Sequence, residues 1–170
     1  MDNDYPMLNI KIIVLGKIKE SYWKEAESEY QKRLKPYAKI ELVEIPEEPF
    51  RDSDDREKIK LKEADKILRI VSGQDKKNLP EGGLIVALHE AGKQFSSHQF
   101  ASFLEEHSTR GETVTLIIGG PLGLHQSILQ LAEVQLSLSQ LTFPHQMVRT
   151  ILLEQIYRAV TIQKGKQYHY

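Results

Sequence analysis

Five short apolar runs, each followed by a segment of helical periodicity, constrain the fold of this chain more than any other feature of its sequence. The apolar runs occupy residues 8–16, 39–46, 83–90, 113–120 and 135–141, and the helical segments occupy residues 21–36, 56–71, 96–108, 125–132 and 144–163. Runs that are apolar throughout are typical of strands buried on both faces, and their alternation with helices is typical of parallel sheets. We therefore predict an α/β fold with a mostly parallel sheet of about five or six strands and helices on both faces.

The composition is typical of one globular domain spanning residues 1–170. Hydrophobic residues make up 40% of the chain and charged residues 28%. No apolar run approaches the roughly 20 residues of a membrane span, and the acidic N-terminus lacks the features of a signal peptide. We expect a cytoplasmic protein that binds no membrane, with a disordered lead at residues 1–6. The absence of cysteine excludes disulfides, thiolate metal sites and a cysteine nucleophile.

The C-terminal end of the chain is more basic than the rest. The net charge of the whole chain is −1, whereas residues 134–170 contain one acidic residue, Glu154, and several basic residues. These basic residues are Arg149, Arg158, Lys164 and Lys166. Such a surplus either arises by random drift or marks an end of the chain that binds an anionic partner.

The sequence GGPLG at residues 119–123 links the fourth apolar run to a helical segment, a position where many phosphate-binding loops occur. A dinucleotide site requires G-x-G-x-x-G after the first strand, and a P-loop requires a lysine after its last glycine. The loop meets neither requirement. It is therefore either a tight turn without a ligand or a turn whose glycines, Gly119, Gly120 and Gly123, let a ligand approach the backbone.

Two further turns follow predicted strands in the same way, LHEAGKQF at residues 88–95 and LSLSQLTFP at residues 136–144. Because the carboxyl ends of parallel strands meet at one edge of a sheet, we predict that the three turns form one pocket. Its lining is expected to be mostly apolar, with backbone amide and carbonyl groups. Such a lining fits an adenine and a neutral sugar better than a triphosphate.

The last helical segment carries an arginine where its periodicity places apolar side chains. Arg149 falls within a wide apolar arc, with His145 one turn earlier. A guanidinium in that position needs a partner, so Arg149 is either a structural residue bonded to backbone carbonyls or part of a functional pair with His145. The width of the arc predicts burial against the sheet and against a second subunit. A polar strip occupies the remaining face and consists of Thr150, Glu154, Tyr157, Arg158 and Thr161.

The chain ends in the aromatic and polar residues Tyr168, His169 and Tyr170. They form either a frayed end or, with the two lysines before them, a functional tail spanning residues 164–170. An ordered tail of this composition would stack on a base or move a proton.

Three stretches together resemble the RlmH family of SPOUT-class RNA methyltransferases: LIIGGPLGL at 116–124, LSLSQLTFPHQMVRTILLEQIYRA at 136–159, and GKQYH at 165–169. The N-terminal stretch at 10–34 fits the same family. The resemblance implies an α/β domain with a C-terminal trefoil knot that works as a homodimer. It also implies methyl transfer from S-adenosylmethionine to N3 of a pseudouridine in 23S ribosomal RNA on the assembled ribosome, without a metal.

The resemblance also assigns residues to the two sides of the implied reaction. The methyl-donor site would consist of Leu88, Gly119, Leu138, Ser139, Gln140, Leu141, Thr142 and Phe143. The positions near the RNA-facing side are His145, Arg149, Tyr157, Arg158, Tyr168 and His169, and the basic tail adds Lys164 and Lys166 as candidate RNA contacts.

The implied chemistry needs mainly positioning and the removal of one proton. Our hypothesis is that His145 or His169 accepts the N3 proton and that Arg149 or Arg158 stabilises charge on the base, with Tyr168 nearby. Two alternatives remain open. The chain would otherwise be a non-catalytic ribosome-associated RNA-binding protein that keeps the fold, or a small-molecule nucleotide-binding protein.

Overall fold

The computed structural model describes residues 6–73 and 83–168. The strands are β1 (Leu8–Leu15), β2 (Ala38–Ile45), β3 (Leu84–Gln94), β4 (Thr113–Ile118) and β5 (Val134–Ser137). The helices are α1 (Ser21–Leu34), α2 (Arg56–Val71), α3 (Ser97–Thr109), α4 (Gln126–Leu131) and α5 (His145–Gln163). The strands form one five-stranded sheet in the order β2-β1-β4-β3-β5, and all neighbouring pairs are parallel. The predicted α/β fold with a parallel sheet is confirmed.

Helices cover both faces of the sheet because alternate residues of each strand point in opposite directions. On β1, Ile10 and Ile12 pack in a core with α1, α3 and α5. Ile13 and Leu15 pack in a second core with α2 and α4. The sheet is therefore buried on both sides, as its near-continuous apolar strands require.

Helix α5 packs between α1 and α3 on its face of the sheet. The wide apolar arc of this helix is thus covered within one chain by the sheet and by two neighbouring helices. Its polar strip is partly buried too, since Thr150 is 9% exposed and Thr161 only 1%. The Thr161 hydroxyl donates to the carbonyl of Arg158 at 2.7 Å, which satisfies it inside the helix.

Local hydrogen bonds set two boundaries that differ from the predicted ones. β5 ends at Ser137 instead of continuing to residue 141, because Ser137 Oγ donates to the Ser139 carbonyl and Ser139 Oγ accepts from the Leu141 amide. β3 extends to Gln94, with a shift in its register against β5 between Leu88 and Lys93. Both changes enlarge the irregular backbone at the carboxyl edge of the sheet.

Side chains cap the starts of several helices. Asp55 accepts from the amides of Glu57 and Lys58 at the start of α2. Ser96 and Gln99 form a reciprocal capping box at the start of α3. Pro144 directly precedes α5, which begins at His145.

The C-terminal knot and the single-domain organisation remain predictions. Of the predicted lead, residues 1–5 lie outside the described residues, and Pro6 accepts a hydrogen bond from Ser108 Oγ at 3.1 Å. Within residues 6–73 and 83–168, no helix combines the length and apolar character that crossing a membrane requires.

Candidate functional site

A cavity of about 290 Å³ opens at the carboxyl ends of β3, β4 and β5. Its walls come from the three strand-end turns and from the first turn of α5. The lining residues are Leu88, His89, Glu90, Ile118, Gly119, Gly120, Pro121, Leu122, Gly123, Leu124, Leu136, Leu138, Ser139, Leu141, Thr142, Phe143, His145 and Val148. The structure thus brings the three turns together around one space, at the edge where open parallel sheets bind ligands.

All but one of the predicted donor-site residues line this cavity. Leu88 comes from β3, Gly119 from the turn after β4, and the rest from the segment after β5. The exception is Gln140, which lies beside Glu90 and Gly92 in a neighbouring hollow. Leu141 stands at the rim and is 74% exposed.

The GGPLG loop is a tight turn closed by its own backbone. The Gly123 amide donates to the Gly120 carbonyl at 3.0 Å, and Gly123 has a positive φ of 77°. A Cβ on Gly119 would lie 2.9 Å from the carbonyl carbon of Gly123 and 3.0 Å from the Leu124 amide nitrogen. Glycine is therefore required at position 119 because the chain folds back over it, and the folded turn then forms one wall of the cavity.

The lining is divided almost evenly between apolar and polar surface, so the prediction of a mostly apolar lining is wrong. Leucines at positions 88, 136, 138 and 141 and the ring of Phe143 supply apolar surface. Among residues 6–73 and 83–168, the buried His89 Nδ1 has no hydrogen-bond partner, which carries a desolvation cost.

His145 lies on the cavity wall and contacts a carboxylate from the end of β2. Its Nε2 lies 3.1 Å from Glu47 Oε1, within ion-pair distance of this carboxylate. Glu47 lies over Gly16, where a Cβ would meet the carboxylate oxygen at 2.0 Å and where φ is +88°. Gly16 therefore makes room for Glu47, and Glu47 orients the imidazole of His145.

The carboxylate of Glu63 on α2 binds the backbone next to Glu47. Glu63 is 4% exposed, and its Oε1 accepts from the Glu48 amide at 3.0 Å. Burial raises the pKa of the Glu63 carboxyl, and the neighbouring Glu47 raises this pKa further, while the Glu48 amide lowers it. This hydrogen bond holds the chain next to Glu47 in place.

Arg149 is buried away from the cavity and is bound by two carboxylates. Its Nε donates to Glu27 Oε2 at 2.7 Å, and one terminal nitrogen donates to Glu44 Oε1 at 2.8 Å. Neither of the partners weighed from the sequence, backbone carbonyls or a site shared with His145, is the partner in the structure. The guanidinium joins α5 to α1 and β2 instead.

The other candidate RNA-facing residues cluster along the C-terminal half of α5. The rings of Tyr157 and Tyr168 meet edge to face with centroids 4.9 Å apart, and the Arg158 guanidinium lies over the Tyr168 ring. Arg158 also pairs with Glu154 at 2.5 Å. Burial, and then a hydrogen bond with Tyr30, raises the pKa of Tyr168 to about 12, so its phenol is protonated at neutral pH.

The tail lysines lie on a tyrosine at the end of α1. Lys164 and Lys166 both place their ammonium groups over the Tyr37 ring. The hydrogen bond between Lys166 and the Tyr37 hydroxyl raises the pKa of that lysine. His169 lies outside the described residues.

The cavity and the aromatic cluster of Tyr157 and Tyr168 lie at different ends of α5. His145 lines the cavity, whereas Tyr157 lies twelve residues further along α5, about 18 Å away at 1.5 Å per residue. The structure therefore brings the donor-site residues together with His145, and it places Tyr157, Arg158 and Tyr168 in a separate cluster.

Sequence reasoning missed two residues at the cavity, Glu47 and His89. A single glutamate after a strand carries no periodic signal, and only its approach to His145 in the folded chain gives it meaning. His89 was overlooked although it stands inside the turn LHEAGKQF that was assigned to the pocket. Among residues 6–73 and 83–168, no group of three or more metal-ligating side chains is placed to hold a metal ion.

Several solved structures with low sequence identity to this chain are similar to it in fold. A probable methyltransferase from Bordetella pertussis is 11% identical over 89% of this chain and 94% of its own, with a TM-score of 0.55. A putative methylase family protein from Neisseria gonorrhoeae is 13% identical over 88% of this chain and 81% of its own, with a TM-score of 0.50. A putative methyltransferase from Legionella pneumophila, solved in complex with SAM, is 18% identical over 93% and 69%, with a TM-score of 0.48.

The parallel sheet and the cavity at its carboxyl edge define an α/β protein with a candidate ligand site. The family described as "Predicted SPOUT methyltransferase" matches residues 8–169. The chain therefore belongs to the SPOUT methyltransferase family.

Proposed function

We propose that this chain is an RlmH-type enzyme that transfers a methyl group from S-adenosylmethionine to N3 of a pseudouridine in 23S ribosomal RNA on the assembled ribosome. One observation carries the proposal. Three strand-end turns, which include the RlmH-like stretches GGPLG and LSLSQLTFP, close around a single cavity that has His145 on its wall. Membership of a methyltransferase family supports the reaction type.

The cavity offers surfaces suited to the adenosine and to the methionine chain of S-adenosylmethionine. Leu88, Leu138 and Phe143 offer apolar surface for an adenine, and the turn after β4 offers backbone groups. S-Adenosylmethionine bound there supplies an activated methyl group, and the chain needs only to position the acceptor in line with it.

On the acceptor side, His145 is a residue of this cavity that can take a proton. Glu47 Oε1 lies 3.1 Å from Nε2 of this ring. A base at this position would remove the N3 proton as the acceptor nitrogen attacks. Arg149 supports the turn of α5 that follows His145, because its guanidinium is fixed by Glu27 and Glu44.

A homodimer is part of the proposal. Tyr157, Arg158 and Tyr168 form a cluster about 18 Å along α5 from His145 of the same chain. A second copy, bound with this cluster next to the cavity, would supply the RNA-facing residues that one chain does not bring there. Sedimentation would then give the mass of a dimer, and a monomer that methylates ribosomes would contradict this part of the proposal.

The assembled ribosome fits the charge of the chain better than free RNA does. The net charge is −1, and a protein of this charge gains little affinity from phosphate contacts alone. Recognition then depends on the shape of an assembled surface. We expect a cytoplasmic enzyme that binds no membrane and requires no metal.

The test is methyl transfer from labelled S-adenosylmethionine to intact ribosomes and, in parallel, to protein-free 23S RNA. We expect label in the ribosomes only, and mass spectrometry of the nucleosides should identify N3-methylpseudouridine. Calorimetry with S-adenosylmethionine separates the alternatives. Ribosome binding without donor binding or transfer would identify a non-catalytic RNA-binding protein, and methylation of another nucleotide would reject the RlmH assignment.

A further inference from the structure

We propose that the segment joining β1 to α1 is an RNA-binding surface of this chain, formed by Lys17, Lys19, Tyr22, Trp23 and Lys24. We call it the β1–α1 surface. The inference rests on the proposed RNA methyltransferase function and adds a contact region that lies beside the cavity of the same chain.

The β1–α1 surface stands next to the wall of the cavity that carries His145. β1 ends at Leu15 on the carboxyl edge of the sheet, and the segment continues from there. The Lys19 amide donates to Gln146 Oε1 at 3.0 Å, and Gln146 adjoins His145 in the first turn of α5. An RNA whose target base enters the cavity therefore passes close to these side chains.

The lysines of this surface are exposed and unpaired. Lys17, Lys19 and Lys24 are exposed, and none forms a salt bridge with a carboxylate among residues 6–73 and 83–168. Glu20 and Glu25 lie among them and reduce the charge of the surface without reversing it. Free ammonium groups are the side chains that replace counterions on an RNA backbone.

The cations of α5 and of the C-terminal tail differ from these lysines because they already have partners. Arg158 is paired with Glu154 and lies over the Tyr168 ring, while Lys166 is bonded to Tyr37. An RNA phosphate would have to replace those contacts. At the β1–α1 surface, phosphates would bind lysines that form no salt bridge with a carboxylate among residues 6–73 and 83–168, so no ion pair has to be broken.

Two aromatic rings lie among the lysines and give the surface a second mode of contact. Tyr22 is 59% exposed, and its ring centroid is 5.3 Å from that of Trp23. Exposed rings next to cations are typical of surfaces on which unpaired bases stack. Phosphate contacts and stacking together favour RNA over a protein partner.

The first experiment compares Lys17→Ala/Lys19→Ala/Lys24→Ala with a matched control, Arg56→Ala/Lys62→Ala/Arg69→Ala. The control removes three exposed cations from α2, which packs on the opposite face of the sheet from α1. Affinity for intact ribosomes is measured over a series of salt concentrations. We expect the first variant to lose about 10-fold or more in affinity and its salt slope to fall by about two units, while the control keeps both.

A second experiment separates stacking from charge. Tyr22→Ala should weaken ribosome binding about 5-fold or more with an unchanged salt slope, and Tyr22→Phe should retain most of the affinity. A photo-crosslinking residue at position 22 should attach to RNA. Attachment to a ribosomal protein instead, or affinities equal to those of the control, would overturn the inference.

Failure of the inference and failure of the proposed function give different results. If wild-type protein methylates ribosomes and the lysine variant keeps the wild-type KM and salt slope, the β1–α1 surface is not an RNA contact. If wild-type protein binds ribosomes without methylating them and the lysine variant loses that binding, the surface stands and the proposed reaction fails. Calorimetry with S-adenosylmethionine should give the same affinity for both lysine and control variants, and a loss in the lysine variant alone would contradict the inference.

Discussion

The guanidinium of Arg149 donates to the carboxylate of Glu27 at 2.7 Å, although 122 positions separate the two residues in the sequence. Glu44 binds a second nitrogen of the same guanidinium, whose side chain is 2% exposed. Three charged groups thus meet where α1, β2 and α5 come together. Arg149, which the sequence assigns to catalysis, is thus bound to carboxylates that join three elements of the fold.

Replacing Arg149 should destabilise the fold strongly. Arg149→Met leaves two carboxylates without their buried partner, and we expect a loss of about 3–5 kcal/mol in the free energy of unfolding. Urea denaturation measures it, with Arg110→Met as control, since that arginine forms a solvent-exposed pair with Glu106 and should cost about 1 kcal/mol or less. A variant of Arg149 with wild-type stability and no methyl transfer would instead support a catalytic role.

Removing the charge of Glu47 should slow methyl transfer and leave donor binding intact. Glu47→Gln removes the negative charge that lies 3.1 Å from His145 Nε2, so we expect kcat to fall about 10-fold or more. The control is Glu48→Gln, whose carboxylate pairs with Lys66 away from the imidazole. Equal rates for the two variants would show that Glu47 does not act through His145.

The two adjacent glycines of the GGPLG loop should respond differently to alanine. Gly119→Ala places a methyl group 2.9 Å from the backbone of Gly123, so we expect a loss of about 1–3 kcal/mol and weaker binding of S-adenosylmethionine. Gly120→Ala meets its nearest atom, Leu15 Cβ, at 3.5 Å, and should change stability by about 0.5 kcal/mol or less. Thermal unfolding and calorimetry test both. Equal effects would mean that the turn does not need glycine at position 119.

The raised pKa of Glu63 makes stability depend on pH in a predictable direction. Its protonated form favours the folded state, so its contribution is present below the unfolded pKa of about 4.3 and is lost as the pH rises through the folded pKa. Glu63→Gln stays neutral and keeps an oxygen for the Glu48 amide. We expect the variant to unfold at higher urea than wild type at pH 7 and at similar urea near pH 4. The control, Glu25→Gln on an exposed site, should show no such difference, and a less stable Glu63→Gln at pH 7 would refute the prediction.

The sequence predicts the fold well because the information lies in local patterns. Apolar runs identify all the strands, and helical periodicity identifies all the helices, so the parallel sheet follows from their alternation. The end of β5 could not be read in this way. It depends on the hydroxyls of Ser137 and Ser139, which bond backbone groups two residues away.

The candidate site was predictable to the extent that it is made of strand ends. The three turns meet as expected, whereas the partners of single side chains did not follow from the sequence. Periodicity shows that Arg149 is buried, yet Glu27 and Glu44 come from elements formed more than a hundred residues earlier. Glu47 beside His145 is a contact of the same kind, created only by the folded chain.

The ion pairs of Arg149 also bear on how the molecule is made. Synthesis proceeds from the N-terminus, so α1 and β2 emerge long before the helix that carries their cationic partner. Until then, Glu27 and Glu44 must keep their hydration, and α1 cannot settle against the sheet as it does in the finished protein. His145 and Val148, which complete the cavity, arrive with the same helix. A nascent or truncated chain without α5 therefore lacks both the helix against which α1 packs and the α5 side of the cavity. Both are completed when α5 folds onto the sheet.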